Sequence, residues 1–270
     1  MKIASERPRK RHHVFACLLA VMVLGAACAP RPTLGPVRGP SQFSTWKAQI
    51  QDRLAAFQAF QAVYKVRLVE PQGRTWHAKA VVTVHLPDQA RLEVLGPMNR
   101  TQGVLLASRT MTSLWILSDG TVYTADDSAL LLGRLVGVEV PVDLLASLLI
   151  GCPPEGDLKA SGATARSDGA WIHTVKDPGK AFQRTYHIRK ESGLLERVIL
   201  SSPDGKNAVA TLHHDPHAPY PLVPDALSFT APRSDVRLTR RAFKPLDSVD
   251  PALFGLPPAA QTAKRVHLHR

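Results

Sequence analysis

Ala78-Lys79-Ala80-Val81-Val82-Thr83-Val84-His85-Leu86 decides the fold class. Ala78, Ala80, Val82, Val84 and Leu86 fall on one side of an extended chain, and Lys79, Val81, Thr83 and His85 on the other, because successive side chains of a strand point to opposite faces. One face of such a strand is enclosed and the other is wet, as in antiparallel sheets. The same period of two recurs upstream in Tyr64-Lys65-Val66-Arg67-Leu68, and downstream where Leu92 and Val94 alternate with Arg91 and Glu93. Pro71-Gln72-Gly73, Pro87-Asp88, Gly96-Pro97 and Asp119-Gly120 punctuate the strands, using residue types that favour turns. Further strands are expected over 101–107, 112–117 and 121–124.

Working outward, the period changes. Ile50, Leu54, Phe57 and Ala62 recur at helical spacing and predict an amphipathic helix over 45–60. After the first strands, Asp126-Asp127-Ser128 is a cap cluster before a leucine-rich helix over 129–136. A second helix follows, with Pro141 in its first turn, Gly151 at its end, and an apolar face of Leu144, Leu145, Leu148 and Leu149. Strands resume over 157–164, 170–175, 182–190, 196–201 and 208–214, with Ser202-Pro203-Asp204-Gly205 as a hairpin turn, and 236–243 comes last. The order is helix, strands, helix pair, strands. It predicts a mainly β fold with a few helices: one strongly curved antiparallel sheet, or half-open β-barrel. Too few helices are present to cover a parallel sheet, so they are expected to lid the concave face and enclose an apolar cavity.

The N-terminus has the layout of a removable export signal. Lys2, Arg7, Arg9, Lys10 and Arg11 precede an uncharged apolar run from Val14 to Leu24, and Gly25-Ala26-Ala27-Cys28 follows. The run is too short for a membrane-spanning helix. The reading is a lipoprotein signal over 1–27, with Cys28 lipid-modified and tied to a membrane. Gly25 stands where such signals more often carry Leu, and an ordinary secretory cut near Ala27 is the alternative. Residues 28–43 are then a lipidated cysteine and proline-containing tether, 44–245 the folded domain, and 246–270 a flexible basic tail.

Composition sets outer limits. With 44% hydrophobic and 21% charged residues, the chain suits a globular domain rather than wholesale disorder. Five basic residues and one acid in 1–27 account for +4 of the formal +12, leaving +8 beyond the signal. A basic surface suits anionic lipid headgroups, but an export signal and the lack of a basic stripe interleaved with aromatics argue against nucleic acid. With Cys17 removed and Cys28 acylated, Cys152 has no disulfide partner and is expected to be a small buried apolar residue. Catalytic and metal motifs such as G-x-S-x-G, H-E-x-x-H or paired cysteines are missing. His213-His214-x-x-His217 lacks carboxylates beyond Asp215. The expectation is a protein that is not an enzyme and holds no metal or cofactor.

A family resemblance rests on several stretches. Arg91-Leu92-Glu93-Val94-Leu95-Gly96-Pro97-Met98 resembles the strand and protruding loop of the LolB-like outer-membrane lipoprotein receptors. Tyr123-Thr124-Ala125-Asp126-Asp127, Leu132-Gly133-Arg134-Leu135-Val136-Gly137 with Pro141, Gly151-Cys152-Pro153 and Asp204-Gly205-Lys206-Asn207 follow in the family's order. The similarity covers most of 57–243. It implies a monomeric half-open barrel with a helical lid. It further implies a cavity for the acyl chains of lipoproteins delivered by a LolA-like periplasmic carrier, and release into the outer membrane from its periplasmic face. In the family an exposed apolar residue after the Gly-Pro performs insertion, and the matching position is Met98; Asn99 and Arg100 depart from the more apolar family loop. Ala29 after the anchor cysteine fits the outer-membrane sorting rule of enteric lipoproteins. The residues expected to line the cavity are Tyr64, Val66, Leu68, Val82, Val84, Leu92, Val94, Leu131, Leu135, Leu145 and Leu149. Two other readings keep the fold: a lipid-binding lipoprotein of another envelope pathway, and a structural lipoprotein whose cavity is filled by its own side chains.

Overall fold

The computed structural model describes residues 35–36, 40–108, 111–158, 163–165, 170–175, 183–201, 205 and 207–269, with the side chains of 35–36, 40–44, 135–136 and 163–165 left aside. In chain order the elements are β1 Gly35–Pro36, α1 Pro40–Ala56, β2 Ala59–Val69, β3 Thr75–His85, β4 Gln89–Leu95, β5 Thr101–Ala107, β6 Thr112–Ile116 and β7 Thr121–Ala125. Then come α2 Ser128–Val136, α3 Val142–Leu148, α4 Glu155–Leu158, β8 Ala163–Ala165, β9 Ala170–Val175, β10 Gln183–Arg189, β11 Leu195–Ser201, β12 Asn207–His213, β13 Ala226–Ala231 and β14 Ser234–Pro245. Helix α5 Pro258–Gln261 and β15 Lys264–His267 close the chain.

All described strands belong to one sheet, ordered β1-β8-β9-β10-β11-β12-β13-β14-β2-β3-β4-β5-β6-β7-β15. The end strands β1 and β15 do not pair, so the sheet is open: a half-barrel, as expected. Two antiparallel meanders meet where β14 pairs with β2, with Leu238 opposite Val66. The alternation is the reason. On β2, Phe60, Ala62 and Tyr64 are buried while Gln61, Lys65 and Arg67 are exposed, and the enclosed face carries the core.

The helix pair sits between the two meanders. Asp127 caps α2, its carboxylate accepting from the Ala129 N–H at 2.9 Å. Gly137 ends α2 in the left-handed region at φ 74. A Cβ there would meet Ser234 Oγ at 2.8 Å, so glycine is required both by the backbone and by the approach of β14. Ser128 Oγ accepts from the Val142 N–H at 3.0 Å and ties the starts of α2 and α3 together. Leu144 and Leu148 of α3 are fully buried.

Four sequence expectations need correction. The first helix runs Pro40–Ala56 rather than 45–60, so it takes in residues 40–43 of the expected tether; it ends early because Phe60 and Ala62 already lie on the inner face of β2, opposite Val84 and Val82. The stretch 157–164 is not one strand: Pro153-Pro154 lead into α4, whose Asp157 is turned inward. Arg184 donates to Asp157 Oδ2 at 2.8 Å, Tyr186 Oη donates to the same oxygen, and His173 Nε2 donates to the Asp157 carbonyl at 2.9 Å. Strand β13 was not anticipated. The segment expected to be a flexible tail instead follows the sheet: Leu246 N–H bonds Ala59 O, Arg91 Nη1 donates to Leu253 O, and β15 adds in parallel to β7. Covering β7 satisfies an edge whose backbone groups would otherwise be bare, and Val266 and Leu268 pack against the core.

Candidate functional site

A cavity of about 200 Å³ opens between the concave face of the sheet and the helix pair. Its wall is built from Val66 and Leu68 of β2, Ala78 and Ala80 of β3, Leu92 and Val94 of β4, and Phe229, Val236 and Leu238 of β13 and β14. Leu132 of α2, Val138 and Val140 of the connection, and Leu145 of α3 cover it, and Trp76 also lines it. Every lining side chain is apolar apart from the indole N–H. A water inside would find no partners, so the site suits hydrocarbon rather than a polar ligand.

Register explains the space. Val66 stands opposite Ala78, and Leu68 opposite Trp76; Ala80 stands opposite Val94. The two alanines leave room that branched side chains on the neighbouring strands do not fill. Leu92 and Leu145 also border a narrower gap of about 10 Å³ with Val82 and Leu149. That is room for roughly one water-sized probe, so the cavity ends there and close-packed core begins.

Trp76 marks the rim. It is 44% exposed, its Nε1–H donates to Glu70 Oε1 at 3.1 Å, and the Arg74 guanidinium lies 3.9 Å over its ring. The loop after β4 reaches the same end of the sheet, because Leu95 pairs with Lys79 and β3 runs from there back to Trp76. Gly96 N–H bonds Arg100 O at 2.9 Å and tightens that loop. At its tip Met98 is 79% exposed. Met98 and Asn99 both adopt left-handed backbone, at φ 58 and 56, an unusual state for residues with a Cβ.

The expected residues divide into groups. Val66, Leu68, Leu92, Val94 and Leu145 line the cavity, and Val82 and Leu149 border the narrow gap below it. Tyr64, Val84 and Leu131 lie in closed core instead. Leu131 is fully buried where α2 packs on β6 and β7, and its neighbour Leu132 takes the cavity position. Among the described residues Tyr64 Oη has no hydrogen-bond partner, and burial raises its pKa well above the ordinary phenol value. The Leu135 side chain and Cys28 lie outside the described residues.

Trp76, Ala78, Ala80, Leu132, Val138, Val140, Phe229, Val236 and Leu238 were not anticipated as lining. The signal for the alanines lay in their size, since a void opens where an inward position is small. Leu227-Ser228-Phe229-Thr230 carries the strand alternation of β13, but it follows a proline-rich loop. At the opposite end of the sheet lies a larger depression of about 620 Å³ with a mixed lining, in which Leu54, Leu86 and Pro154 stand beside Gln51, Asp143, Glu155 and Asp157. The carboxylates in its wall make it less suited to an acyl chain than the wholly apolar cavity. Cys152 is fully buried, its Sγ 3.7 Å from Ile150 O, and burial pushes its thiol pKa up to about 12, against a nucleophilic role.

No protein-family model matches the chain. It is 24% identical over 112 residues to an outer-membrane lipoprotein LolB from Vibrio atlanticus (strain LGP32), a match covering 42% of this chain and 50% of the relative. The chain thus spans about half the length of that curated relative. A LolA-superfamily protein from Nitrosomonas europaea superposes with a TM-score of 0.53 at 11% identity, covering 77% of this chain and 96% of the other. A DUF1329-family protein from Desulfovibrio piger superposes with a TM-score of 0.59 at 9% identity, covering 80% and 96%. The fold is therefore LolA/LolB-like.

Proposed function

We propose that this LolA/LolB-like fold serves a lipid-anchored outer-membrane protein, held on the periplasmic face through Cys28, that accepts the acyl chains of other lipoproteins and helps insert them into the membrane. The observation that carries the reading is the apolar cavity between curved sheet and helix pair. Each buried methylene contributes about 0.8 kcal/mol, so an acyl chain can be drawn from a weaker site to a stronger one without nucleotide hydrolysis. A LolA-like periplasmic carrier is the proposed donor. The protein itself performs no covalent chemistry in this scheme.

Met98 supplies the release step. Its exposed, flexible side chain sits on strained backbone at the cavity's end of the sheet. Strain of that kind persists where the surrounding structure imposes it, often at functional positions. A methionine entering the bilayer brings the cavity mouth to the lipid that receives the cargo.

The test uses the whole chain carrying Cys28→Ser, so that no lipid of its own interferes. Purified from cells, it should carry bound acyl species detectable by mass spectrometry and take up a fluorescent fatty acid. It should also accept labelled lipoprotein from a loaded carrier. Uptake of free fatty acid without acceptance of lipoprotein would assign the cavity to another envelope lipid. Failure of every form of uptake would leave a structural role.

A further inference from the structure

We infer that the outer face of β14, β2 and β3 is a docking surface for an anionic phospholipid bilayer. Lys65, Arg67, His77, Lys79 and Arg237 all project from this face and are exposed. Their register places like charges together: Arg67 stands directly opposite Arg237, and Lys65 opposite Lys79, with the imidazole of His77 across from Arg67 on β3. Opposed side chains on neighbouring strands lie about 4.5–5.5 Å apart at Cβ, and like charges there oppose pairing.

The carboxylates of these strands and their turns are fewer than the cations. Asp235 shares the face one row along, opposite Val69 and diagonal to Arg67. Glu93 holds Arg91 at 2.6 Å, and Glu70 accepts from Trp76. Among the described residues no carboxylate forms an ion pair with Lys65, Arg67, Lys79 or Arg237. A free-standing sheet is weakened by this arrangement, whereas an anionic surface laid against it neutralises all of the cations together.

Position favours a bilayer over an acidic protein. The basic face adjoins the end of the sheet where Trp76 and Met98 expose apolar side chains, with Arg74 and Arg100 beside them. Cations around an exposed tryptophan and an apolar tip match the charge and polarity gradient of a headgroup region. The inference shares with the proposed function only the membrane as workplace. Docking and acyl uptake are separate measurements, so either can fail alone.

The experiment is co-sedimentation of the whole chain carrying Cys28→Ser with two kinds of vesicle. One is phosphatidylethanolamine mixed with phosphatidylglycerol; the other is phosphatidylcholine alone. Binding should be confined to the anionic vesicles and should weaken as salt is raised. The combined variant Lys65→Gln, Arg67→Gln, Lys79→Gln, Arg237→Gln should lose binding at least tenfold, since each surface cation is worth roughly fivefold. Its melting temperature should stay level or rise, because opposed like charges are removed. A control variant, Lys190→Gln, Lys264→Gln, Arg265→Gln, removes cations from elsewhere and should bind nearly as the parent does. Undiminished binding by the four-site variant, or equal loss in the control, overturns the inference. Undiminished vesicle binding with lost binding to polyglutamate would overturn it in favour of an acidic protein partner.

Discussion

Val66 on β2 stands directly opposite Ala78 on β3, inside the sheet, and the smallness of the alanine opens the cavity between them. The same contrast is repeated one pair along, where Ala80 faces Val94 across β3 and β4. A fold whose other inward positions are close-packed keeps a void where these two short side chains stand.

Filling that void should weaken uptake without unfolding the protein. Ala78→Leu places a branched side chain into existing space, so the melting temperature should change little. The displaced ligand loses contact for about two methylenes, which lowers fatty-acid affinity roughly tenfold. Fluorescent fatty-acid titration reads this, and unchanged affinity would mean that the ligand binds elsewhere.

Met98 separates acceptance from release. Met98→Glu should accept cargo as the parent does but deliver it to liposomes more slowly. Met98→Gly removes the apolar tip while relieving left-handed backbone, so it should match the glutamate variant in release and gain up to about 1 kcal/mol in stability. Parent-like delivery by both variants would take Met98 out of the mechanism.

Asp157 holds α4 to the sheet. Asp157→Ala leaves the Arg184 guanidinium, 2% exposed, without the carboxylate that accepts from it and from Tyr186, and with only Asp143, 4.0 Å away, as a remaining counter-charge. Breaking a buried pair outright costs about 3–5 kcal/mol, so the loss here should fall at or below the lower end of that range. Chemical denaturation should show the loss directly, and Tyr186→Phe, which keeps the ion pair, should lose less.

Cys152 should be inert in the folded protein. With the thiol pKa pushed up to about 12 and the side chain enclosed, thiol reagents at pH 8 should label it only as fast as the domain opens. Denaturant should make labelling immediate. Fast labelling of the native protein would contradict the packing described around Ile150 and Cys152.

His214 should make stability fall in mild acid. Burial, the largest cause, lowers its pKa below the ordinary 6.5; Arg53 acts in the same direction, while bonds to backbone carbonyls and Asp225 oppose it. Below pH 6.5 the unfolded chain binds a proton that the folded chain resists, so this contribution is present above that pH and is lost as pH falls through the folded value. The drop in melting temperature between pH 7 and 5 should be smaller in His214→Gln than in the parent.

Much of this architecture is legible in the residues because its enclosed face is periodic. Alternation in β2, β3 and β4 located the strands, and the Asp126-Asp127-Ser128 cap cluster located the start of α2. Five of the expected lining residues fell on the cavity wall. The rest was hidden for physical reasons. Which of Leu131 and Leu132 faces the cavity depends on how α2 seats against β6 and β7, which a leucine-rich run does not specify. Ala78 and Ala80 define the void by what they lack. The strand at Lys264–His267 has no alternation strong enough to announce it, and forms because β7 offers an open edge.

The central claim is that the cavity holds an acyl chain, and photo-crosslinking tests it most directly. A fatty acid carrying a diazirine near its methyl end, bound to the Cys28→Ser chain and irradiated, should label peptides containing Val66, Leu92 and Leu145. Labelling confined to outward-facing positions such as Lys65 and Arg67, or no labelling above that of denatured protein, would contradict the account.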